Sequence, residues 1–376
     1  MRTRTRLAAA GGVGVAAAAL LAGPADASPT GHQDVTRPVF VAADDPAGNS
    51  VAVYDRHADG TLTPAGRYAT GGRGGVLDGS VVDHLASQGA LTYDRAHGLL
   101  YAVNAGSNTV TLFAVHGDRL QRVQVVGSGG TFPVSVAVRG NLVYVLNARD
   151  GGSIQGFLRI GDVLVRVPSW NRPLGLDRNA TPEFTSTPGE VAFSPRGDQL
   201  IVTTKANGNQ IDVFNLDPIG RPSSAPVVTP DPGNVPFAVA FDRTGRVDVA
   251  EAGPNAVASF VLHGDGHLTL VGRTATGQAA TCWIVSTGAE VYADNAGSGS
   301  VSSFDVTAAG LVARGNTPTH GGTIDATLSS DGRNLYVQTG ATGTVDEFAV
   351  GADGSLTAIG SVTVPGTIGG EGIASA

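Results

Sequence analysis

The chain has 376 residues, a formal net charge of −8 at pH 7, and a composition in which 41% of the residues are hydrophobic. An acidic chain of this kind argues against nucleic acid as a partner. Cys282 is the only cysteine, so an intrachain disulfide is excluded and packing must supply the stability.

The first predicted element is a secretion signal. Three arginines among the first six residues form a basic start, an apolar run of small residues covers positions 7–23, and Ala25-Asp26-Ala27 has the A-x-A pattern of a cleavage site. We therefore predict a signal peptide over residues 1–27, cut before Ser28, and a flexible N-terminus over residues 28–37. The mature protein is expected to be secreted and extracellular, with no membrane attachment after cleavage.

A sevenfold internal repeat follows. Val or Ile, two variable residues, and then Phe or Tyr recur seven times, with successive aromatics 44 to 59 residues apart. Residues three apart in a strand point to opposite faces, so each repeat predicts a strand that is covered on both sides. The pairs are Val51 and Tyr54, Val110 and Phe113, Ile154 and Phe157, Ile211 and Phe214, Val257 and Phe260, Val301 and Phe304, and Val345 and Phe348.

The rest of each repeat predicts three more strands. A strand precedes each pair, an inner strand precedes that one, and a hairpin glycine six residues after the aromatic leads into a fourth strand in five of the repeats. Four strands per unit at a period near 44 residues predict an all-β, seven-bladed propeller over residues 38–376 as a single domain. The first unit lacks its inner strand, and the tail Glu371–Ser375 is expected to supply it and close the ring. The hairpin glycines are Gly60, Gly220, Gly266, Gly310 and Gly354.

The repeated units, of which residues 101–108 (YAVNAGSN) are a clear example, resemble the lactonase family of propellers. That family includes 6-phosphogluconolactonases and carboxymuconate cyclases, so the resemblance implies a seven-bladed propeller and a reaction that hydrolyses or isomerises a lactone. The fourth blade departs from the phosphogluconolactonase pattern. Pro188-Gly189 stands where a Pro-His is usual, and residues 205–209 (KANGN) stand where an acidic loop is usual.

Two rings of repeat-equivalent positions predict the site at one mouth of the central tunnel, because they are polar and differ from blade to blade. The first ring lies at the starts of the inner strands, and the second lies in the loops between the second and third strands of each blade. The candidate catalytic residues are Glu190 or Glu251 as the base that activates water, and Lys205, with the asparagines of the second ring, as donors to the carbonyl oxygen. The candidate substrate-binding residues are His84, Asn104, Asn147, Trp170, Arg172, Cys282, Trp283, Asn295 and Asp325.

Two connections between blades are longer than the rest, at residues 74–88 and 170–187, and we expect them to cover this mouth. No spacing of histidines, cysteines or acidic residues matches a metal motif, so no metal or cofactor is predicted.

Two functions remain open from the sequence. The first is a lactone hydrolase or cycloisomerase that acts on a small molecule at the tunnel mouth. The second is a non-catalytic propeller that binds a small ligand, or a protein or cell-surface partner, because a fold alone does not imply a reaction. In either case we expect a monomer.

Overall fold

A computed structural model describes residues 37–376, which form 28 β-strands, two one-turn α-helices and one 3-10 turn. The predicted signal peptide and the residues up to Thr36 lie outside the described residues. Between residues 37 and 376, no helix has the length and apolar character needed to cross a membrane.

The strands of the first four blades, apart from the one that the end of the chain supplies to the first blade, follow in chain order. They are β1 (Val39–Ala42), β2 (Ser50–Arg56), β3 (Leu62–Ala69), β4 (Leu91–Asp94), β5 (Leu99–Asn104), β6 (Thr109–His116), β7 (Arg119–Gly127), β8 (Pro133–Arg139), β9 (Leu142–Asn147), β10 (Ser153–Ile160), β11 (Val163–Pro173), β12 (Val191–Phe193), β13 (Gln199–Thr203), β14 (Gln210–Asn215) and β15 (Val227–Pro230).

The remaining strands complete the ring, and both helices lie near the fourth blade. The strands are β16 (Pro236–Phe241), β17 (Val247–Glu251), β18 (Ala256–Leu262), β19 (Leu268–Ala275), β20 (Thr281–Ser286), β21 (Glu290–Asn295), β22 (Ser300–Thr307), β23 (Gly310–Pro318), β24 (Thr323–Leu328), β25 (Asn334–Thr339), β26 (Thr344–Val350), β27 (Leu356–Thr363) and β28 (Ile373–Ser375). The helices are α1 (Glu183–Ser186) and α2 (Lys205–Gly208).

The described strands form seven antiparallel sheets of four strands each, which confirms the seven-bladed propeller. Six sheets take four consecutive strands, and the first sheet has the order β28–β1–β2–β3. All seven predicted pairs lie in the third strand of their blade, and every member is at most 3% exposed. The pairs are buried because each blade is covered by its two neighbours.

The C-terminal strand closes the ring as predicted. β28 pairs antiparallel with β1, with Val39 opposite Ser375 and Val41 opposite Ile373. The backbone N–H of Ala42 also donates to the carbonyl of Gly372 at 2.8 Å. The ladder therefore joins residues from the two ends of the described chain and covers a strand edge that would otherwise be open.

Tyrosines in the second strands connect neighbouring blades. The hydroxyl of Tyr292 donates to the carbonyl of Gly354 at 3.0 Å, and that of Tyr336 donates to the carbonyl of Gly60 at 2.8 Å. Both acceptors are predicted hairpin glycines of the next blade, with φ of +77° and +91°, a region where glycine is favoured. The hairpin glycine therefore both turns the chain and presents a carbonyl to the preceding blade.

Candidate functional site

The uneven polar ring at the start of the inner strands has a structural role. An inner strand has no partner on its tunnel side, so some of its N–H groups need another acceptor. Three side chains at one register position each accept the N–H of the next blade's inner strand. The bonds run from Val191 N to Ser135 Oγ (3.3 Å), from Val239 N to Glu190 Oε2 (2.7 Å) and from Ile373 N to Asp325 Oδ2 (3.1 Å).

Two asparagines of the second polar ring, Asn104 and Asn295, brace turns. Asn104 Nδ2 donates to hydroxyls five and seven residues later, Thr109 at 3.1 Å and Thr111 at 2.9 Å. Asn295 makes the same pattern with Ser300 and Ser302, at 3.2 and 2.9 Å. These two candidate binding residues are fully buried and hold the turn between the second and third strands of their blades.

Lys205 lies one residue beyond the ring in which the repeat alignment predicts it. In blade five Ala250 pairs with Val257, whereas the equivalent pair in blade four, Thr203 and Ile211, spans one more residue. Thr204 therefore fills the ring position. Lys205 follows it with a φ of +52°, in the left-handed region that side chains rarely adopt.

The first long connection closes the tunnel. Its last residues, 82–88, which we call the plug, contact blade one and blades three to seven. In blade six, Trp283 Nε1 donates to Ser87 O at 2.5 Å, and Ile284 N donates to Gln88 Oε1 at 2.8 Å. In blade seven, a Cβ on Gly340 would lie 1.7 Å from Val82 O, so only glycine allows this approach.

The plug is also bonded to the other side of the ring. Ser87 Oγ lies 2.9 Å from both Glu371 Oε1 in blade one and Val134 O in blade three, and its single proton can bond to either. Gln88 Nε2 lies 3.3 Å from Glu190 Oε2 in blade four and 3.5 Å from Val239 O in blade five. Because these partners belong to inner strands around the tunnel, the plug lies on the tunnel axis.

Lys205 joins the two long connections. Its ammonium group donates to Ala86 O in the plug at 2.6 Å, and to Phe184 O and Thr187 Oγ1 in the second connection at 2.6 and 3.0 Å. These bonds use all three of its donors. The side chain is fully buried, which lowers the pKa of Lys205 to about 8. No carboxylate among residues 37–376 forms an ion pair with it, so in this arrangement it is a tether with no free donor for a substrate.

Buried carboxyl groups surround the plug. The carboxyls of Asp83 and Glu371 lie within hydrogen-bonding distance of each other, and burial raises the pKa of both. Burial also raises the pKa of Asp44, of Glu190, and of Asp325 to about 7. Within residues 37–376, no group of three His, Cys, Asp or Glu side chains is arranged to hold a metal ion.

The sequence predicts the three candidate catalytic residues in one site at the tunnel mouth, but in the structure they do not share an open pocket. Glu190 is 8% exposed, and Lys205 and Glu251 are fully buried. Glu251 belongs to a separate group, in which Arg273 Nε lies 2.9 and 2.8 Å from its two oxygens and Arg273 Nη2 reaches Asp231. Burial raises the pKa of Glu251 to about 7 although Arg273 opposes the shift.

Cys282 and Trp283 lie beside the plug with Glu190, Lys205 and Asp325. Burial raises the pKa of the Cys282 thiol to about 12, which makes it a poor nucleophile. Trp283 is 3% exposed and meets Phe237 edge-on with ring centroids 4.9 Å apart. Both side chains are therefore packed.

The remaining candidates lie elsewhere. Trp170 and Arg172 belong to β11 and not to a loop: Trp170 stacks on Tyr144 in the core, and Arg172 donates to Ser223 O at 2.6 Å. His84 is half-buried in the plug, and its backbone N–H donates to Gly369 O at 2.8 Å. Asn147 is fully buried, and its side-chain amide has no hydrogen-bond partner within residues 37–376.

An accessible site lies beside the plug, in a cleft between the turn after β9 and the second long connection. This rim cleft has a volume of about 180 Å³ and polar walls. Arg149 and Glu183 form a bidentate ion pair across it, at 2.7 and 2.9 Å, and Glu183 also accepts Asp78 N. The cleft is lined by Ala148, Arg149, Asp150, Gly151, Leu176, Asp177, Arg178, Asn179, Ala180, Glu183, Ser186, Thr187 and Asn207.

Sequence reasoning did not select the groups that matter most here. Glu371 could have been found by aligning the C-terminal tail with the other inner strands, where it falls one residue before the register position of Ser135, Glu190 and Asp325. Arg149 carries no local signal, because its partner Glu183 is 34 residues away in a connection without a repeat counterpart.

Solved structures with this fold match the chain over nearly its whole length. A protein from Lactobacillus plantarum has a TM-score of 0.73 at 20% identity, covering 90% of this chain and 98% of its own. A Bacteroides fragilis protein provisionally described as a 6-phosphogluconolactonase has 0.71 at 19%, covering 92% and 98%. A Pseudomonas aeruginosa periplasmic gluconolactonase, PpgL, has 0.69 at 17%, covering 90% and 98%. No protein-family model and no curated protein matches the chain. The chain therefore has the seven-bladed propeller fold of these lactonase-like structures.

Proposed function

We propose that the protein is a secreted hydrolase that opens a small, hydroxyl-rich lactone in the rim cleft. One observation carries this proposal. The guanidinium of Arg178 has no hydrogen-bond partner within residues 37–376, and it lines the same cavity as the carboxyl groups of Asp150 and Asp177. A cationic donor beside exposed carboxylates is the minimum that a lactone opening requires.

The reaction needs a base that activates water and a donor for the carbonyl oxygen. Asp150 Oδ2 accepts Thr131 Oγ1 at 2.6 Å, and Asp177 Oδ1 accepts Asn179 N at 2.9 Å. Each carboxylate therefore has a second oxygen that can take a proton from water. Arg178 would stabilise the negative charge that develops on the carbonyl oxygen. Because a lactone is an activated ester, a base and a donor suffice without a covalent intermediate.

The size and polarity of the cleft favour a sugar-type lactone. Its volume of about 180 Å³ is below the usual range for a drug-sized ligand but suits a molecule the size of a monosaccharide. Carboxylate, guanidinium and amide groups in its walls can bond several hydroxyls. The similar fold of the Pseudomonas aeruginosa protein named as a gluconolactonase supports the same substrate class by analogy.

The second candidate is a non-catalytic propeller that binds the same kind of molecule. The specific observation in its favour is the plug, which leaves Glu190 and Lys205 bonded to protein groups and unavailable for chemistry. A rim cleft braced by the Arg149–Glu183 ion pair would serve as a rigid binding site without turnover.

A panel of simple, aromatic and sugar lactones, followed by proton release, separates the two candidates. Arg178→Met should lower kcat by about 10²–10³-fold because it removes the donor. Asp150→Asn and Asp177→Asn should identify the base, whose loss costs about 10²–10⁴-fold. Asp265→Asn, an exposed hairpin carboxylate, is the matched control, and Lys205→Ala should keep the rate of whatever fraction folds.

Two results would count against the hydrolase. Wild-type protein without turnover of any lactone, but with saturable binding of a sugar acid that Arg178→Met weakens, would establish the binding module. Turnover that survives in all three cleft variants would place the chemistry outside the rim cleft.

Secretion is part of the proposal and has its own test. The chain starts with a basic segment, which is followed by an apolar run and an A-x-A pattern. This order predicts that culture medium contains protein beginning at Ser28 or within a few residues of it. Intact mass measures this, and a mass that retains residues 2–21 would contradict it.

A further inference from the structure

We propose that the plug is a proton-operated latch: one proton shared by Asp83 and Glu371 keeps it closed over the tunnel, and loss of that proton releases it. This inference goes beyond the proposed function, because it concerns the tunnel and does not depend on chemistry in the rim cleft.

The two carboxyl groups hold opposite sides of the closure. Asp83 Oδ1 accepts the backbone N–H groups of Leu85 at 3.0 Å and Ala86 at 2.8 Å, and so shapes the plug itself. Glu371 belongs to the C-terminal tail and accepts Ser87 N at 3.2 Å and Ser87 Oγ at 2.9 Å. The plug is therefore bonded to blade one through the same carboxyl group that faces Asp83.

Two buried carboxyl groups at hydrogen-bonding distance cannot both be ionised at low cost. A proton between them converts repulsion into a hydrogen bond. Asp83 Oδ2 has no other partner within residues 37–376, so the shared proton also explains why this buried oxygen is tolerated.

The surroundings oppose a second negative charge. Among the groups around the pair, Lys205 is the one amine, burial lowers its pKa to about 8, and its donors go to neutral oxygens. The others are acidic or neutral, so nothing nearby compensates two carboxylates. The groups that face the pair, or that face one of its charged neighbours, are Asp44, His84, Glu183, Glu190, Lys205, Cys282, Asp294 and Asp325.

The pH dependence of plug opening follows from the direction of the pKa shifts. Burial and mutual repulsion raise the pKa of Glu371 in the closed state, and burial raises that of Asp83. Closure is therefore most stable below the ordinary carboxyl pKa and is lost as pH rises through the raised value. If opening releases one proton, the opening constant increases about tenfold per pH unit in that window.

Labelling of Cys282 measures the opening of the plug in the unmodified chain, because Cys282 is the only cysteine and is buried beside Asp83 and Lys205. A bulky maleimide reagent should label it only when the plug has moved. Between about pH 5 and about pH 7.5 the thiolate fraction of an exposed cysteine itself increases about tenfold per pH unit. Wild-type labelling should therefore increase about a hundredfold per unit.

Asp83→Asn removes the second charge but keeps an acceptor for Leu85 and Ala86, and its amide can donate to Glu371. Its labelling rate should increase with pH about tenfold less per unit than that of wild type, because the proton shared by residues 83 and 371 is no longer released on opening. Asp248→Asn is the matched control. Asp248 is another buried carboxyl group, with a pKa raised by burial to about 7, and it lies in blade five bonded to Ser259 and away from the plug. Its variant should keep the wild-type slope.

A second measurement keeps the test decisive if Asp83→Asn does not fold. In wild-type protein, hydrogen exchange at the amides of Leu85 and Ala86 should accelerate with pH by about tenfold per unit beyond the intrinsic rate. If the labelling rate increased equally steeply with pH in wild type and in Asp83→Asn, the latch would be overturned. An equal loss of slope in Asp248→Asn would also overturn it, because labelling would then proceed through global unfolding.

Discussion

Ile373→Ala tests whether the C-terminal strand stabilises the ring. Ile373 is 4% exposed, pairs with Val41, and packs in a cluster with Val39, Tyr336 and Val345 that joins blades one and seven. Truncating a buried isoleucine costs about 2–5 kcal/mol, from lost burial and the cavity that remains. For about 340 ordered residues, unfolding entropy near 0.7 kcal/mol per degree converts about 3 kcal/mol into a Tm decrease of roughly 4 °C.

Ile368→Ala is the matched control in the same tail, five residues earlier. Ile368 is 66% exposed, so its truncation should change stability by less than about 0.5 kcal/mol. Urea unfolding of both variants, followed by circular dichroism, measures the difference directly, and similar m-values would show that the unfolded states are comparable. If the two variants differ by less than about 0.5 kcal/mol, β28 does not close the ring in the way described.

Three further predictions follow from the buried groups. Glu251→Gln should lower the free energy of unfolding, measured in urea, by about 1–3 kcal/mol, because it weakens the bonds to Arg273. Lactone turnover should stay within twofold of wild type. A loss of turnover in a correctly folded variant would show that Glu251 is the catalytic base after all. Stability should fall from about pH 5 to about pH 8. Burial raises the pKa of Asp248 and Asp325 to about 7, so protonation stabilises the fold below that value. A urea midpoint that rises across this range would contradict the assignment. A chain that ends at Gly369 should lose cooperative unfolding in calorimetry, and a Tm within a degree or two of the full chain would refute the closure.

The architecture could be predicted because it is repeated. The Val/Ile-x-x-Phe/Tyr pairs have the same environment in every blade, so seven weak local signals agree, and the missing inner strand of the first unit identifies the role of the tail. The polar rings could be found in the same way. Their structural role could not be predicted, because neither of the contacts that define it is visible in the sequence. Glu190 accepts Val239 N from the next blade, and Asn295 braces its own turn.

The placement of Lys205 shows the limit of repeat alignment. One extra residue in the turn after β13 moves it out of the ring, although its sequence separation from Phe214 matches the equivalent separation in blades two, five, six and seven. Its partners Ala86 and Phe184 lie in connections that have no counterpart in the repeat. Contacts of this kind depend on where two long segments meet in space, so they are accessible only from coordinates.

The plug has a consequence for the order in which the chain folds. It lies between the first and second blades in sequence, yet its bond from Ser87 to Glu371 spans 284 residues. Contacts between distant residues are slow to form because the intervening chain must first be organised. During synthesis, the plug is therefore complete only after the last strand has formed. Until then, its buried acids and Lys205 remain hydrated, and the final step of folding is also the step that removes water from the tunnel.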